Sequence, residues 1–164
     1  QNKDFKIYHT DINIKMLEQG QRKIIDHGKI VSSLVCDAEK IPFPTDYFDC
    51  VTIAFGLRNI TRKEKALSEM LRVLSPGGKL VILEFSKIWS PLSKIYDNFS
   101  FNLIPKLGKV FANDEKSYQY LVESIRVHPD QKKLKAMMEK EGFEKVSFLN
   151  LSGGIVAIHQ GYKF

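Results

Sequence analysis

Residues 48–85 read FDCVTIAFGLRNITRKEKALSEMLRVLSPGGKLVILEF, and this stretch decides the fold. It opens with an apolar run (48–55) that is typical of a strand. It closes with a second run (79–85) that is apolar without a break from residue 80 to 83, as strands buried on both faces are. Apolar residues between the two runs recur with helical spacing: Leu67, Met70, Leu71 and Leu74. A strand, a helix and a strand in this order predict an α/β fold with a parallel sheet.

Local signals predict where this helix begins and ends. Thr61 and Glu64 form a T-x-x-E capping box, which predicts the start of the helix. The run 76–78, Pro-Gly-Gly, predicts its end before the second strand. At the tip of the first strand, Gly56 is expected to release the backbone.

Upstream of this stretch the same alternation continues. We predict a strand over 5–10 that ends at Asp11, and then a helix that stops at Gly28. A further strand over 30–36 ends at Asp37.

Downstream, the pattern changes between residues 86 and 129. This range is predicted to be a helical insertion, or lid, that covers the end of the sheet within one domain spanning 1–164. Asp130 is predicted to cap a further helix. Two strand-like runs joined by Ser152-Gly153-Gly154 predict a C-terminal antiparallel hairpin.

Composition limits the class of protein. The chain has 164 residues, of which 43% are hydrophobic, so it can bury the core of one domain. No apolar run of about 18 residues occurs, so no membrane-spanning helix is predicted. The net charge of +6 suits nucleic acid or an anionic membrane surface, but the lysines are scattered and indicate a solvated surface. Cys36 and Cys50 lie in apolar runs and are interpreted as small buried side chains.

Polar residues stand where three predicted strands end, which is where parallel sheets bind ligands. Asp11 can accept hydrogen bonds from both ribose hydroxyls of an adenosine ligand, or it can cap the following helix. Asp37 and the N–H of Ala38 match the hydrogen-bonding edge of adenine, although Asp37 can equally begin a loop. Arg58 and Asn59 bring a guanidinium and an amide to the tip of the third strand.

Together these segments resemble the ubiquinone/menaquinone biosynthesis C-methyltransferases, the UbiE-like family of S-adenosylmethionine enzymes. The resemblance covers almost the whole chain and rests on TDINIKML, DAEKIPFP, FDCVTIAFGLRN, LRVLSPGGKLVILEFSK, YDNFSF and GIVAIHQGYKF. It implies a class I Rossmann-like methyltransferase fold, with a mostly parallel sheet that ends in the antiparallel hairpin. It also implies S-adenosyl-L-methionine as the cofactor.

The resemblance implies cofactor-binding roles for four residues. Asp11 would hold the ribose of S-adenosylmethionine, and Asp37 with Ala38 would bracket its adenine. Ala54 stands where many family members have a serine, so only backbone contact with the cofactor is expected there.

The methyl acceptor implied by the resemblance is a ring carbon of a polyprenylated benzoquinol, of demethylmenaquinol, or of both. Methylation of an aromatic carbon draws electrons from an adjacent phenolic oxygen, so the enzyme should stabilise a phenolate. Arg58 can hold this oxyanion in a dry site, and Asn59 can donate beside it. Asp97 can receive the phenolic proton directly or through water. The alternative for Arg58 is a pair with a surface carboxylate.

Members of the family carry a first strand and a glycine-rich turn that this sequence lacks. We therefore expect it to be the C-terminal portion of a longer protein, which binds the cofactor weakly by itself. In the family's sheet order, 3-2-1-4-5-7-6, the first strand lies between the runs 5–10 and 48–55. Three arrangements stay open: two unpaired strands, direct pairing of the two, or a strand from another chain.

Two rival functions are an RNA methyltransferase and a non-catalytic methyltransferase-like scaffold in a quinone-biosynthesis assembly. FGLRN lacks the Asn/Asp-Pro-Pro-Tyr-like turn common in enzymes that methylate exocyclic base amines, so no nucleic-acid partner is predicted. The expected partners are a lipid-soluble quinol and either a homodimer or a quinone-biosynthesis complex.

The location expected from the resemblance is cytoplasmic, or peripheral on the inner membrane, in a bacterium. In a eukaryote it is the matrix side of the mitochondrial inner membrane. Lys94, Lys106 and Lys109 flank a predicted aromatic helix and would contact anionic lipid at a peripheral membrane surface. A lid packed on its own domain is the alternative.

Overall fold

The computed structural model describes residues 5–87 and 115–164, with the side chains of 115–118 excepted. In chain order the strands and helices are β1 (Tyr8–Asp11), α1 (Ile14–Asp26), β2 (Ser32–Val35), β3 (Phe48–Ala54), a 3₁₀ turn (Leu57–Asn59), α2 (Lys63–Val73), β4 (Leu74–Phe85), α3 (Glu115–Val127), α4 (Gln131–Lys140), β5 (Glu144–Leu151), a second 3₁₀ turn (Ser152–Gly154) and β6 (Val156–Tyr162). The expected alternation of strands and helices is confirmed.

The strands form two hydrogen-bonded sheets. β1 and β2 pair in parallel, whereas the second sheet has the order β3-β4-β6-β5. In the second sheet β3 and β4 are parallel, and β6 is antiparallel to both β4 and β5. This order matches the 3-2 and 4-5-7-6 parts of the sheet expected from the resemblance, with the hairpin confirmed. No ladder joins β1 to β3 within the described ranges, so the alternative of direct pairing between them is wrong.

An aromatic cluster joins the two sheets at the amino ends of β1 and β3. The ring of Tyr8 lies 4.9 Å from that of Phe43 and 5.8 Å from that of Phe48, measured between centroids. The hydroxyls of Tyr8 and Tyr47 are 2.9 Å apart. Arg72 of α2 holds the same loop, because its Nη1 donates to the Phe43 carbonyl at 2.9 Å. The strands are thus fastened at their amino ends, and their carboxyl ends are left to carry ligand-facing residues.

The main core lies between the four-stranded sheet and two helices, α2 and α4. Alternate residues of β4 face these helices, because successive strand side chains point to opposite faces. The buried side chains that meet there are Leu67, Met70, Leu80, Ile82, Leu134 and Met138. This packing places the carboxyl ends of β3 and β4 beside the start of α2.

The capping box predicted for α2 is wrong. The helix begins at Lys63, and its N-cap residue Arg62 makes no side-chain capping bond. A tertiary contact takes the place of the local one: Glu39 accepts from the backbone N of Arg62 at 2.8 Å and from its Nε at 2.7 Å. Thr61 and Glu64 are therefore not needed as a capping pair.

The Pro-Gly-Gly run lies inside β4, not between the helix and the strand. The helix ends at Val73, and the strand starts at the next residue. Gly77 N donates to the Lys163 carbonyl at 2.7 Å, and Lys163 N donates to the Gly78 carbonyl at 3.0 Å. Pairing with the C-terminal segment thus extends the strand through the predicted break.

Other sequence signals are confirmed. Gly28 follows α1 with a φ of +69°, and the Asp130 carboxylate accepts from Lys133 N at 2.9 Å at the start of α4. Ser152-Gly153-Gly154 joins the strands of the hairpin. The expected burial of the cysteines is wrong: Cys50 is exposed on the face of β3 that the described residues leave uncovered, and Cys36 is only half-buried.

Only part of the predicted insertion over 86–129 belongs to the described residues. α3 confirms a helix at its end, with Val122 buried, and residues 88–114 lie outside the described ranges. The lid over the sheet therefore stays a prediction. Within the described ranges, no helix has both the length and the apolar character that crossing a bilayer requires.

Candidate functional site

β3 ends in a tight turn that brings Arg58 to the carboxyl edge of the sheet. Ala54, the last strand residue, is exposed. Phe55 has a φ of +53°, in the left-handed region that bulky residues rarely adopt, whereas Gly56 has a φ of −111°. The prediction that Gly56 releases the backbone is therefore wrong. Its lack of a side chain serves packing instead, because a Cβ there would lie 3.3 Å from atoms of the Ile53 side chain.

The 3₁₀ turn Leu57–Asn59 is anchored by its first residue. Leu57 is fully buried in the main core. Side chains in such a turn point in three directions, so burial of Leu57 directs Arg58 and Asn59 elsewhere. The hydroxyl of Tyr120, on α3, donates to Oδ1 of Asn59 at 3.1 Å. This bond fixes the orientation of the amide and leaves its NH₂ group for another partner.

Arg58 is held by a buried carboxylate. Its Nη1 donates to Glu84 Oε1 at 3.0 Å and also to the carbonyl of Phe55. Its backbone N donates to Glu84 Oε2 at 3.1 Å. The two side chains are 12% and 1% exposed, so the alternative of a pair with a surface carboxylate is corrected to a pair with a buried one. The guanidinium also lies 5.3 Å from the ring centre of Phe85.

Glu84 is a site residue that the sequence analysis missed. It continues the inward-facing row of Leu80 and Ile82 on β4, and it also accepts from Phe85 N at 2.9 Å. A signal was present in the sequence KLVILEF, because a carboxylate in a buried apolar strand is rare unless it is paired. The partner lies 26 residues away in the chain, so local spacing could not identify it.

Asp11 lies at the carboxyl end of β1 and is half-buried. Its Oδ1 accepts from Asn13 N at 2.8 Å. Asn13 is the N-cap of α1, with its side chain accepting from Lys15 N at 3.0 Å, so the alternative that Asp11 caps this helix is wrong. The second carboxylate oxygen of Asp11 makes no hydrogen bond within the described ranges and is available to a ligand.

Asp37 and Ala38 lie beside Asp11, because Cys36 N donates to the Asp11 carbonyl at 3.0 Å. The carboxylate of Asp37 accepts from Glu39 N at 2.8 Å, so the loop-initiating role left open for this residue is present. One oxygen of Asp37 and the N–H of Ala38 make no hydrogen bond in the part of the chain that the structure describes. The two interpretations of Asp37 are therefore compatible.

Asp97, the third residue predicted to be catalytic, falls in the range 88–114 and so lies outside the described residues. No group of three metal-ligating side chains occurs in the described part. An open cleft of about 470 Å³ lies beside His128, but Asp11, Asp37 and Arg58 do not line it. The expected site residues within the described ranges lie at strand ends instead: Asp11, Asp37 and Ala38 at or just after the ends of β1 and β2, and Ala54, Arg58 and Asn59 at or just after the end of β3.

Two histidines, His128 and His159, are buried, and His128 lies close enough to Arg58 to be affected by its charge. Burial, with smaller contributions from the charges of Lys63 and Arg58, lowers the pKa of His128 to about 4. Burial also lowers the pKa of His159, whose Nε2 lies 3.0 Å from the carbonyl of Gln131. Among the described residues, four buried polar atoms lack a hydrogen-bond partner: Arg58 Nε, Ser86 Oγ, His128 Nδ1 and His159 Nδ1.

We expect His128 to make stability depend on pH. The unfolded state binds a proton below about pH 6.5 that folded His128 does not bind until about pH 4, so stability falls as the pH falls through this window. Between about pH 7 and about pH 5 the contribution is about 1 to 2 kcal/mol. Urea unfolding of wild type and His128→Gln at both pH values measures it. Equal pH dependence in the two proteins would contradict the assignment.

Comparison with known proteins identifies the family. The model of the ubiE/COQ5 methyltransferase family matches residues 1–163. The "Ubiquinone/menaquinone biosynthesis C-methyltransferase UbiE" of Paraburkholderia phytofirmans is 58% identical over 159 residues, which are 97% of this chain and 65% of that protein. The protein of the same name from Burkholderia orbicola is 57% identical, with the same coverage. This chain thus spans 65% of the length of these curated relatives.

The fold agrees with this match. A crystal structure of a SAM-dependent methyltransferase from Aquifex aeolicus aligns with a TM-score of 0.68 over 99% of this chain and 71% of that one. The two sequences are only 18% identical, so the likeness concerns the fold. A Rossmann-like methyltransferase fold and a family match over nearly its whole length together show that the chain belongs to the ubiE/COQ5 methyltransferase family.

Proposed function

We propose that the protein containing this chain transfers a methyl group from S-adenosylmethionine to a ring carbon of a polyprenylated benzoquinol, of demethylmenaquinol, or of both. The main support is the identity of 57–58%, over 97% of the chain, to proteins named as ubiquinone/menaquinone biosynthesis C-methyltransferases. The rival RNA methyltransferase and the non-catalytic scaffold find no support among these relatives.

The polar groups at the ends of β1 and β2 fit an adenosine moiety. Asp11 would accept from the ribose hydroxyls through its unpaired oxygen. Asp37 would accept from the exocyclic amine of adenine, while the Ala38 N–H would donate to a ring nitrogen. Ala54 would offer only its backbone. The bound cofactor would supply an electrophilic methyl group on a sulfonium centre.

Arg58 and Asn59 would stabilise the phenolate that forms when the phenolic hydroxyl loses its proton. Its ring carbon would then take the methyl group from the sulfonium, which leaves as a thioether, and would lose its own proton to water, which restores the aromatic ring. A guanidinium is a fixed cation that suits oxyanions, and Arg58 is almost buried, so little water competes with it for an oxyanion. The Asn59 NH₂ group can donate beside it, because Tyr120 occupies the amide oxygen. Asp97 would accept the phenolic proton, directly or through water. Arginine is a poor proton acceptor, so we assign the role of base to Asp97 and not to Arg58.

Replacement of Asp37 by alanine is expected to raise the dissociation constant for S-adenosylmethionine about 10- to 100-fold. The reason is loss of a charge-assisted hydrogen bond of about 1.5 to 3 kcal/mol. Isothermal titration calorimetry on the intact protein that contains this chain measures the change in the dissociation constant. Asp49→Asn, an exposed carboxylate at the other end of β3, is the control and should bind normally. Unchanged affinity in Asp37→Ala would remove this residue from the site.

The reaction itself is tested with methyl-labelled cofactor and the quinol acceptors. We expect label on a ring carbon of the quinol and none on RNA. Transfer to RNA, or no transfer to any quinol by a folded protein, would overturn the proposed function.

The acceptor's polyprenyl chain partitions into lipid, so we also propose that the protein meets it peripherally at a membrane surface. The net charge of +6 favours anionic lipid. Co-sedimentation with anionic vesicles tests this, and absence of binding at low ionic strength would oppose it. A homodimer or a quinone-biosynthesis complex is a separate proposal, for which the mass in solution and in cell extracts is the test.

A further inference from the structure

We propose that Glu84 is a positioning residue whose buried carboxylate sets the orientation of the Arg58 guanidinium toward the acceptor oxygen. The inference rests on the proposed function, because it assigns Arg58 to the phenolate. It goes further in assigning a task to a side chain on β4 that would not itself touch the substrate.

The carboxylate binds one residue at two points. Oε2 accepts from the backbone N of Arg58 at 3.1 Å, and Oε1 accepts from its Nη1 at 3.0 Å. Oε1 also accepts from Phe85 N at 2.9 Å, which fixes the carboxylate relative to its own strand. The 3₁₀ turn and the tip of the guanidinium are therefore both tied to β4.

These contacts leave one edge of the guanidinium for a ligand. Glu84 and the carbonyl of Phe55 both take Nη1. No hydrogen bond within the described ranges reaches Nη2, and Nε is buried without a partner there. Nε and Nη2 form a planar fork that can hold one oxygen or two. Glu84 thus directs this fork, and not the Nη1 corner, to the acceptor.

Stability alone does not require this pair. A buried ion pair replaced by apolar residues of similar volume often leaves stability unchanged or increased, because both charges lose their hydration. The neighbouring inward positions of β4 are Leu80 and Ile82, so an apolar residue would continue the row. The Glu84–Arg58 pair holds the turn and the guanidinium in one orientation. An apolar residue at position 84 would not orient a guanidinium in this way.

The direction in which Glu84→Gln changes kcat distinguishes a positioning role of Glu84 from a purely electrostatic one. Glu84→Gln removes a negative charge beside the developing phenolate, so a purely electrostatic role predicts a higher kcat. A positioning role predicts a lower kcat, by about 100-fold, because a small misplacement of a catalytic group costs about that much. The KM for S-adenosylmethionine should not change, since the cofactor-binding residues lie on other strands.

The control variant is Glu69→Gln. Like Glu84, Glu69 accepts hydrogen bonds from a backbone N–H and from an arginine side chain, but it lies away from the strand ends. Glu69 accepts from Ile41 N at 2.9 Å and from Arg72 Nε at 2.8 Å. This substitution should lower the free energy of unfolding but leave kcat unchanged. An equal loss of kcat in Glu84→Gln and Glu69→Gln would show that weakening either carboxylate–arginine contact has the same effect. That result would overturn the proposal.

The experiment compares wild type, Glu84→Gln, Arg58→Lys and the double variant. If Glu84 acts through Arg58, the double variant should be no slower than Arg58→Lys. If the losses of kcat from the two single variants multiply in the double variant, the inference is overturned. An unchanged or higher kcat in Glu84→Gln would also overturn it. The Nε–H resonance of Arg58 is the second readout. It should be sharp and protected from exchange in wild type, and broadened in Glu84→Gln.

The Nε–H resonance of Arg58 distinguishes a failure of the proposed function from a failure of the positioning role of Glu84. If wild type transfers no methyl group to a quinol while the Arg58 signal still responds to Glu84→Gln, the proposed function fails and the positioning contact stands. If methyl transfer occurs and the signal does not respond, the inference fails alone. Glutamine matches the shape of glutamate, and urea unfolding confirms that the variant is folded.

Discussion

Replacement of Arg58 by alanine is expected to lower kcat by about 100- to 1000-fold, while the dissociation constant for S-adenosylmethionine stays nearly the same. The loss follows from removal of a preorganised donor at the forming oxyanion. The side chains of Asp11 and Asp37 and the N–H of Ala38 are expected to bind the cofactor, and none of them contacts Arg58; Ala54 is expected to offer only its backbone. Steady-state kinetics at saturating cofactor and calorimetric titration measure the two quantities. An equal loss of both would contradict this division of roles.

The same substitution is expected to destabilise the fold by about 3 to 5 kcal/mol, because it leaves the buried carboxylate of Glu84 without its partner. Arg58→Ala combined with Glu84→Gln separates the two effects. Removal of the orphaned charge should restore much of the free energy of unfolding, measured in urea, and none of the turnover. Recovery of kcat in the double variant would show that Arg58 serves the fold and not the reaction.

Replacement of Leu57 by alanine is expected to lower the free energy of unfolding by about 2 to 5 kcal/mol, because it leaves a cavity under a fully buried side chain. It should also lower kcat, since Leu57 is the anchor of the turn that carries Arg58 and Asn59. Urea unfolding and kinetics at a temperature where the variant stays folded measure both effects.

Leu134→Ala is the matched control for this prediction. Leu134 belongs to the same core and is 1% exposed, but it lies on α4, away from the turn. It should cost a similar free energy of unfolding and leave kcat close to that of wild type. Equal kcat in the two leucine variants would show that the anchoring of the turn does not matter for turnover.

The elements of the fold were predictable because their signals are local. Hydrophobic periodicity gave the strands and helices, and Gly28 and Asp130 marked helix ends where the structure has them. The start of α2 was not predictable in this way. Its terminal N–H is satisfied by Glu39, which lies 23 residues earlier in the chain and leaves no mark in the local pattern.

The candidate site shows the same division. The strand ends that carry Asp11, Asp37 and Arg58 followed from the topology of parallel sheets. The partner of Arg58 did not, because Glu84 comes from a different strand and its role depends on burial. The backbone at Phe55 also escaped prediction, since sequence rules assign the left-handed conformation to glycine, and here the aromatic residue adopts it.

The pairing of Arg58 with Glu84 bears on how an uncharged lipid would enter such a site. Seen from several ångströms away, the two charges largely cancel, so the pair itself would exert only a weak dipole field on a neutral quinol arriving from a bilayer. At van der Waals range the unpaired guanidinium edge would still present two N–H groups. Attraction would then grow with the negative charge on the ring oxygen, and the paired Arg58 and Glu84 would offer water little surface to solvate.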